Sequence, residues 1–346
     1  MDEIGIKTHY FNKEDGYGNL ALKFLEKFKY VEAFKPGEYK QKFINYSKID
    51  TILFLGRPTH FEKIIGLKNI LYTMFETDKI PNKWPNKINT TYDCVVVPST
   101  EIAEVFRICG VYTKIEILPL FIMGCYKFFK RPIRDTYTFL FVGRMNKFNR
   151  KGWYELLLAF TKEFHENNVR LIFKSTDFVS VSNEMMQIMK NDIRIHLIDG
   201  VLTNEEINKL YKEADCFVLP SHGEGFGLPA VEAMATGLPV ITTNFLGSVD
   251  YAKRKYCYPI EIKYLEEAFY APFYGEVGNW AYIDYKDIKK SMRYCYENQE
   301  KARRKGEKAS IFVDENFRFK NFSDGLLEIR KKLNVDIVII KNPKGT

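Results

Sequence analysis

The stretch SHGEGFGLPAVEAMATGLPV, residues 221–240, carries most of what the sequence says about the fold. It follows a short apolar run that ends at Pro220 and continues into a helical pattern, as a loop between a strand and a helix does. In an open α/β sheet such a loop lies at the carboxyl ends of the strands, where ligands bind. Gly223, Gly225 and Gly227 let the backbone approach a ligand closely. The N–H groups that open the following helix would form an anion site suited to a diphosphate.

Two glutamates lie on either side of the start of that helix. Glu224 is in the loop, and Glu232 is one turn into the helix. Each carboxylate can accept hydrogen bonds from neighbouring hydroxyls, so the pair can hold two separate sets of hydroxyls, for instance on two sugars. The alternative is that the glycines only form turns and the glutamates are solvated. That alternative fits poorly, because Glu224 stands among Gly, Phe and Pro rather than in a polar loop.

Two cations belong to a second element of the same half of the chain. Gly143 ends a predicted strand, Arg144 follows in the turn, and Lys151 starts the next helix. Two positive charges at the mouth of the same crevice would neutralise a nucleotide diphosphate and stabilise it as a leaving group. The alternative is a pair of solvated basic residues.

Short apolar runs alternate with helical patterns along the chain. The predicted strands are 4–11, 50–55, 69–75, 94–97, 115–118, 138–142, 170–173, 193–198, 216–220 and 239–242. The predicted helices are 19–28, 99–110, 152–164, 183–189, 204–214 and 229–235. Thr203 and Glu206 have the spacing of a capping box on the fifth helix. This alternation predicts parallel sheets with helices on both faces, and its two series predict an α/β protein with two doubly wound domains.

The composition is that of an ordinary globular protein, and 346 residues suit two domains. The formal net charge of +8 suits an anionic partner, or else reflects a lysine-rich solvated surface. No dedicated nucleic-acid motif accompanies this charge, so no nucleic-acid partner is expected. The six cysteines form no C-x-x-C pair and several stand in apolar runs, as in a reducing compartment.

The sequence predicts a cytoplasmic protein. Its start has no basic segment followed by an apolar run, and no apolar run reaches 18 residues. Residues 121–136 lack periodicity and hold several basic residues, and we interpret them as an interdomain linker. The alternative is that Tyr126, Phe128 and Phe129 touch an anionic bilayer, peripherally at the inner membrane surface.

Residues 138–245 resemble the retaining glycosyltransferases of family 4 (glycosyl transferases group 1), which have the GT-B fold. The resemblance rests on Arg144, Lys151, the Glu224-x7-Glu232 pair, and the runs IDGV at 198–201 and ADCFVLPS at 214–221. Thinner matches outside this part are YTMFETD at 72–78 and NWA at 279–281. The resemblance therefore extends over about the whole chain and is densest in the C-terminal half.

The resemblance implies two Rossmann-like doubly wound domains that face each other across a cleft. Residues 1–122 would form the acceptor domain, 123–136 the linker, and 137–315 the nucleotide-sugar donor domain. A C-terminal helix at about 316–346 would cross back to the first domain. The pattern at 312–333 predicts a long helix that is interrupted near Gly325.

The resemblance also implies a role for each motif residue. Arg144 and Lys151 would hold the diphosphate, so neither a metal nor another cofactor is expected. Glu224 would bind hydroxyls of the donor sugar. The other donor-side residues would be Glu232 at the ribose, Val201 against the base, Gly225, the backbone N–H groups of Phe226, Gly227 and Leu228, and Gly16 and Gly18 near the phosphates.

The implied activity is a hexosyl transfer of class EC 2.4, from a nucleotide-diphosphate sugar to a hydroxyl of a glycan, a lipid or a protein-linked glycan, with retention. Many family members carry a His near the reacting sugar where this chain has Glu76 and Thr77, so these two and His60 are candidates on the acceptor side. An epimerase or a phosphorylase on the same fold is one alternative. A non-catalytic sugar-nucleotide or nucleic-acid binding protein is another, and the intact glutamate pair and cations argue against it.

Overall fold

The chain folds into two α/β units. The computed structural model describes residues 4–8, 31–35, 38–41, 49–165, 168–176, 181–269 and 275–340, together with residues 23, 27 and 178. The first unit comprises Met1–Phe75, Lys79–Phe121 and Phe319–Thr346, and the second comprises Glu76–Asp78 and Ile122–Arg318. The last helix of the chain thus returns to the first unit.

The first unit is built on a sheet that has seven strands in the described part of the chain. They are β1 Ile4–Thr8, β2 Val31–Lys35, β3 Glu38–Gln41, β4 Thr51–Leu55, β5 Lys68–Tyr72, β6 Cys94–Val97 and β7 Ile115–Ile117. Their order in the sheet is β3-β2-β1-β4-β5-β6-β7. Neighbouring strands are parallel, apart from the antiparallel edge pair of β2 and β3.

The central strands of this sheet lie in the core. Every residue of β4 and β6 is buried, which explains why both strands are continuous apolar runs rather than alternating ones. A 3-10 turn, Pro58–His60, follows β4, and the helices α1 Trp84–Thr91 and α2 Thr100–Ile108 flank β6 in sequence. The Ser99 hydroxyl accepts the N–H of Ile102 at 3.3 Å and so caps α2.

The second unit is built on a six-stranded parallel sheet. Its strands are β8 Tyr137–Val142, β9 Val169–Lys174, β10 Ile195–Ile198, β11 Cys216–Leu219, β12 Val240–Thr243 and β13 Tyr258–Ile260. Their order is β10-β9-β8-β11-β12-β13. Numbered within the unit this order is 3-2-1-4-5-6, which is the order of a Rossmann sheet. A small antiparallel pair, β14 Leu265–Glu267 and β15 Asn279–Ala281, follows it.

The helices of the second unit lie between its strands or follow the last of them. They are α3 Trp153–Glu163, α4 Asn183–Asn191, α5 Asn204–Glu213, α6 Leu228–Ala235, α7 Tyr285–Glu297 and α8 Gln299–Asn316. The capping box predicted for α5 is present, with the Thr203 and Glu206 side chains bonded to each other's backbone N–H. Helix α8 lies close to the end of α6, because a Cβ on Gly306 would meet the carbonyl oxygen of Gly237 at 2.1 Å.

The terminal helix α9, Phe319–Ile340, packs on the first unit. In the part of α9 whose side chains the structure describes, buried residues recur at helical spacing, at Phe322, Leu326, Ile329 and Leu333. The Phe322 ring lies 5.9 Å from the ring of Tyr72, and the Arg330 guanidinium donates to the Asp50 carboxylate. The helix thus completes the core of the unit that starts the chain.

The predicted interruption of this terminal helix is wrong in position. The break between α8 and α9 lies at Phe317 and Arg318, and Gly325 is inside α9. A Cβ on Gly325 would lie 2.5 Å from Cδ1 of Leu118, so the glycine permits close packing of the helix. Its role is a contact within the first unit, which a helix pattern alone does not reveal.

The segment between Leu118 and Tyr137 contains neither a helix nor a strand, and most of it packs on the second unit. The buried guanidinium of Arg131 donates to the carbonyl oxygens of Tyr211, Ala214 and Thr236. Burial lowers the pKa of Arg131 to about 9, so the group is charged at neutral pH. These bonds fix the segment to the second unit, and its role as a linker stays a prediction. Contact of the segment with a membrane stays a prediction. In the described part of the chain, no helix is both long and apolar enough to cross a membrane.

Candidate functional site

The predicted donor site lies where the strand order of the second sheet reverses. Strands β8 and β11 are neighbours in that sheet although they are far apart in the chain. In doubly wound folds, the loops after two such strands form a crevice in which ligands bind. Here these loops carry Gly143 and Arg144 after β8, and residues 220–227 after β11.

Glycines let the loop after β11 pack closely against neighbouring atoms that would clash with a Cβ. A Cβ on Gly223 would lie 2.0 Å from the carbonyl oxygen of Glu76, a distance that no side chain tolerates. Gly227 has φ +84° and stands immediately before α6, and its Cβ would meet the Tyr251 hydroxyl at 2.3 Å. The Tyr251 hydroxyl itself donates to the carbonyl oxygen of Phe226 at 2.6 Å. The loop is therefore held against its surroundings on both sides of Glu224.

Glu224 forms a buried ion pair with Lys151. The ammonium lies 2.6 and 2.7 Å from the two carboxylate oxygens, and the Ser221 hydroxyl donates to one of them at 2.5 Å. Burial would raise the pKa of Glu224, but the charges of Lys151 and Arg150 outweigh it and hold that pKa below its usual range. Glu224 is thus an anion at neutral pH although only 6% of it is exposed.

Lys151 reaches Glu224 from a turn that is pressed against the β11 loop. Gly152 has φ +66°, and a Cβ there would lie 1.9 Å from the carbonyl oxygen of Pro220. Burial lowers the pKa of Lys151, and the attraction of Glu224 opposes this effect only in part. A further anion beside this ammonium would stabilise its charged form.

Arg150 joins the same two loops. Its guanidinium donates to the carbonyl oxygen of Gly223 at 2.6 Å and lies 3.8 Å from carboxylate oxygens of both Glu224 and Glu76. The segment of Glu76 and Thr77 belongs to the second unit, and Thr77 is buried. The structure therefore brings Glu76 to Arg150, which also lies beside the predicted donor residue Glu224.

Glu232 lies one turn into α6 and is almost completely buried. The Tyr211 hydroxyl donates to one of its carboxylate oxygens at 3.2 Å. Pro229 has no N–H, and the Ala230 N–H donates to the Gly227 carbonyl oxygen at 3.0 Å, so Leu228 supplies the N–H at the start of α6 that has no acceptor within the helix. Glu232 and Leu228 belong to the same short helix.

Solved structures resemble the chain over almost its whole length. Sucrose-phosphate synthase from Thermosynechococcus elongatus has a TM-score of 0.72 and 15% identity, with 96% of this chain and 100% of that chain covered. The Anabaena protein HepE, solved with UDP and glucose, has a TM-score of 0.70 and 13% identity, with 95% and 100% covered. The fold is GT-B. At such low identity, the likeness carries no more than that.

Part of the second unit also matches a family model. Residues 136–260 match the family model Glycosyl transferases group 1. An uncharacterized glycosyltransferase of Methanocaldococcus jannaschii is 31% identical over 127 residues, which are 35% of this chain and 30% of that protein. The capsular polysaccharide biosynthesis glycosyltransferase CapM of Staphylococcus aureus is 29% identical over 125 residues, which are 34% of this chain and 30% of CapM. The aligned part thus spans about a third of the length of these relatives.

The other predicted residues of this GT-B chain stand in different places. Arg144 is exposed in the turn after β8, and Val201 is half-exposed after Gly200. His60 is exposed on the 3-10 turn of the first unit. Gly16 and Gly18 lie outside the described residues. No cluster of three or more His, Cys, Asp or Glu side chains that could hold a metal occurs among the residues that the structure describes.

Sequence reasoning gave no role to three contacts of this GT-B site. They involve Arg150 with the Gly223 carbonyl, Ser221 with Glu224, and Tyr211 with Glu232. Ser221 has a usable signal, since it precedes Glu224 by three residues in the same loop. Arg150 and Tyr211 have none, because their partners are distant in sequence and depend on the strand order.

Proposed function

We propose that the protein is a glycosyltransferase that moves a sugar from a nucleotide-diphosphate sugar to a hydroxyl group. The observation that carries this proposal is the buried Lys151–Glu224 pair beside the N-terminus of α6, at the switch point of the sheet. An ammonium, a carboxylate and a helix N-terminus are groups suited to hold a diphosphate next to a sugar. The match of residues 136–260 to the group 1 family supports the same reading.

We assign the phosphate end of the donor to the cations. Lys151 and Arg144 would neutralise the diphosphate and stabilise it as it leaves. Burial disfavours the charge of Lys151, so a bound diphosphate would stabilise its ammonium form. These two cations would take the place of a metal ion, and we propose that transfer requires none.

We assign the sugar and the nucleoside to the two glutamates. Glu224 would accept hydrogen bonds from donor-sugar hydroxyls through the carboxylate that Lys151 and Ser221 hold in place. Glu232, oriented by Tyr211, would accept those of the ribose, and Val201 would lie against the base. The spacing of the two glutamates in the loop and in α6 separates these two roles.

We place the acceptor hydroxyl on the side of Glu76 and Thr77. Glu76 lies near Arg150 and beside the Gly223 backbone, so it borders the sugar end of the proposed donor site. A glycan, a lipid or a protein-linked glycan could supply the hydroxyl. Exclusion of water while donor and acceptor are aligned would favour transfer over hydrolysis.

A thermal-shift panel of UDP-, GDP- and ADP-sugars, each with and without EDTA, tests the proposal. A ligand that binds the native state raises the melting temperature by an amount set by its concentration relative to Kd. One nucleotide should stabilise the wild type in EDTA, and Lys151→Ala and Glu232→Ala should remove the shift. The matched controls are Lys209→Ala and Glu307→Ala, two exposed helix positions of the second unit, which should keep it. Stabilisation of all variants alike, or of none including the wild type, would contradict the assigned site.

Retention of configuration is a separate proposal, and it rests on the family 4 resemblance. The anomeric proton of the product, followed by NMR early in the reaction, reports the configuration directly. An α-linked donor should give an α-linked product. A β-linked product would show inversion and would remove the retaining part of the proposal while leaving sugar transfer itself in place.

A further inference from the structure

A buried histidine stands two residues before Glu224, in the same loop. His222 is 6% exposed, and its ring lies 5.7 Å from the ring of Trp280. We infer that His222 is a positioning residue, which in its protonated form joins Glu155 and Glu266 and so holds the two loops that carry Lys151 and Glu224. The expected consequence, tighter nucleotide binding when His222 is protonated, rests on the proposed function.

The contacts of the ring define what each nitrogen does. Nδ1 lies 2.8 Å from the carbonyl oxygen of Ala281, which can only accept, so Nδ1 carries a proton. The same nitrogen lies 3.3 Å from a carboxylate oxygen of Glu266. Nε2 is buried, makes no hydrogen bond within the described part of the chain, and lies 3.5 Å from a carboxylate oxygen of Glu155. A second proton on Nε2 would give this nitrogen a donor directed at that carboxylate.

The electrostatic surroundings favour the second proton. The charged groups that face the ring are Glu155 from α3 and Glu266 from β14, both of them acidic. Arg150, whose carbonyl oxygen accepts the backbone N–H of His222, directs its guanidinium to the Gly223 carbonyl. Burial alone would lower the pKa of His222, but Glu155, the Ala281 carbonyl and Glu266 outweigh it and raise that pKa above 6.5.

His222 and Glu155 connect both loops of the candidate site. The backbone N–H of His222 donates to the Arg150 carbonyl oxygen at 2.8 Å. The Arg150 guanidinium donates to the carbonyl oxygen of Gly223, the next residue, at 2.6 Å. The Glu155 oxygen that faces His222 accepts from the Asn149 side chain at 2.6 Å. One carboxylate therefore orients the turn before Lys151 and the histidine before Glu224 together.

The sign of the pH effect follows from the raised pKa. The stabilisation from protonated His222 is fully present below pH 6.5 and is lost as the pH rises through the higher pKa of the folded protein. Above that pH Nε2 has no proton to donate to Glu155, and the two loops lose one of their links. Nucleotide affinity should fall over the same interval.

Two measurements on the full chain test the inference. The first is an NMR titration of the imidazole signals, in which the signal lost in His222→Gln identifies His222 among the five histidines. Its midpoint should lie above 6.5 and fall in Glu155→Gln, and the amide signals of residues 149–151 and 223–224 should titrate with the same midpoint. The second is the pH dependence of Kd for UDP, GDP and ADP, for the wild type and for His222→Phe. The control is His196→Gln, an exposed histidine on β10.

The wild-type Kd should rise roughly fivefold or more through the His222 midpoint, the lower end of coupling between linked sites. This step should be absent in His222→Phe and present in His196→Gln. Equal pH profiles of Kd in the wild type and His222→Phe would overturn the inference. Amide signals of the two loops that do not change with the His222 midpoint would also overturn it. If the wild type binds none of the three nucleotides, the proposed function fails, and the NMR titration alone decides whether His222 positions the two loops.

Discussion

At the scale of single residues, the site depends on one buried ion pair. Lys151 contacts both carboxylate oxygens of Glu224, and little of either side chain reaches water. Loss of one partner leaves the other charge buried and uncompensated. Because the pKa of Glu224 is depressed, the stabilisation from this pair is present above the ordinary value of 4.5 and is lost as the pH falls through the depressed value.

Replacing Glu224 by glutamine should therefore destabilise the protein and reduce the loss of unfolding free energy at acid pH. The glutamine keeps the shape and an acceptor for Ser221 but leaves the Lys151 ammonium unpaired, and a cost of about 3 kcal/mol is expected at pH 7. Urea unfolding at pH 7 and below pH 4.5 measures both effects. Glu307→Gln, an exposed substitution on α8, should change neither. A Glu224→Gln variant as stable as the wild type would mean that the pair contributes nothing.

At the scale of elements, two turns are packed against each other without room for side chains. Gly152 touches the Pro220 carbonyl, and Gly223 touches that of Glu76. The first approach places the start of α3 beside the loop after β11, the arrangement in which Lys151 reaches Glu224. Gly200 offers a matched comparison, since it also has positive φ, at +93°, but its Cβ would meet nothing within 4 Å.

Replacing Gly152 and Gly200 by alanine, one at a time, should distinguish the cost of backbone strain from the cost of close packing. Gly200→Ala should cost about 1–2 kcal/mol, the strain of a left-handed residue alone. Gly152→Ala adds a Cβ that would lie 1.9 Å from a carbonyl oxygen, and we expect a loss of at least about 3 kcal/mol. Denaturant midpoints of the two variants measure the difference. Equal losses would indicate that the two turns are not in contact.

At the scale of the whole molecule, each unit has its own core, and the chain leaves the first unit and returns to it. Helix α9 supplies Phe322 to a cluster with Tyr72 and Phe121 in the first unit. Helix α8 remains in the second unit, where Phe312 stacks on Tyr256 at 4.2 Å. Two consecutive helices therefore stabilise different units.

Phe322→Ala and Phe312→Ala should act on different units. Removing the fully buried Phe322 ring leaves a cavity and should cost about 3–5 kcal/mol in the first unit. Hydrogen exchange should then increase in peptides of β5 and β6 and stay unchanged in those of β11 and β12. Phe312→Ala, which is partly exposed, should have a smaller effect confined to the second unit. Increased exchange throughout the chain after either change would contradict independent cores.

The sequence predicts most of this fold because each element has its own local signal. The apolar run of β6 and the capping box of α5 are both where their patterns placed them. Features that depend on contacts between residues far apart in the sequence were not predicted or were predicted in the wrong place. Gly325 resembled a helix break, but it packs against Leu118, more than 200 positions earlier in the chain. Strands β2 and β3 carry no clear periodicity, and their pairing defines them.

The residue types of the candidate site could be predicted from the sequence, but the contacts between them could not. The glycines, the two glutamates and the cations are visible in the sequence, since each lies in a loop that follows a strand or near the start of the next helix. That Lys151 contacts Glu224, 73 residues away, follows only from the adjacency of β8 and β11. The joining of Glu155 to His222 depends on the same adjacency. The roles of these residues stay predictions.

The most direct test of the central claim is a map of nucleotide binding on the folded protein. Backbone amide signals of the 15N-labelled chain, recorded as UDP, GDP or ADP is added, report where the diphosphate lies. We predict that the amides of Phe226, Gly227 and Leu228 and those of residues 149–152 shift together, and that Lys151→Ala abolishes these changes. Shifts confined to other parts of the chain, with the amides at the start of α6 unmoved, would contradict a donor site at this position.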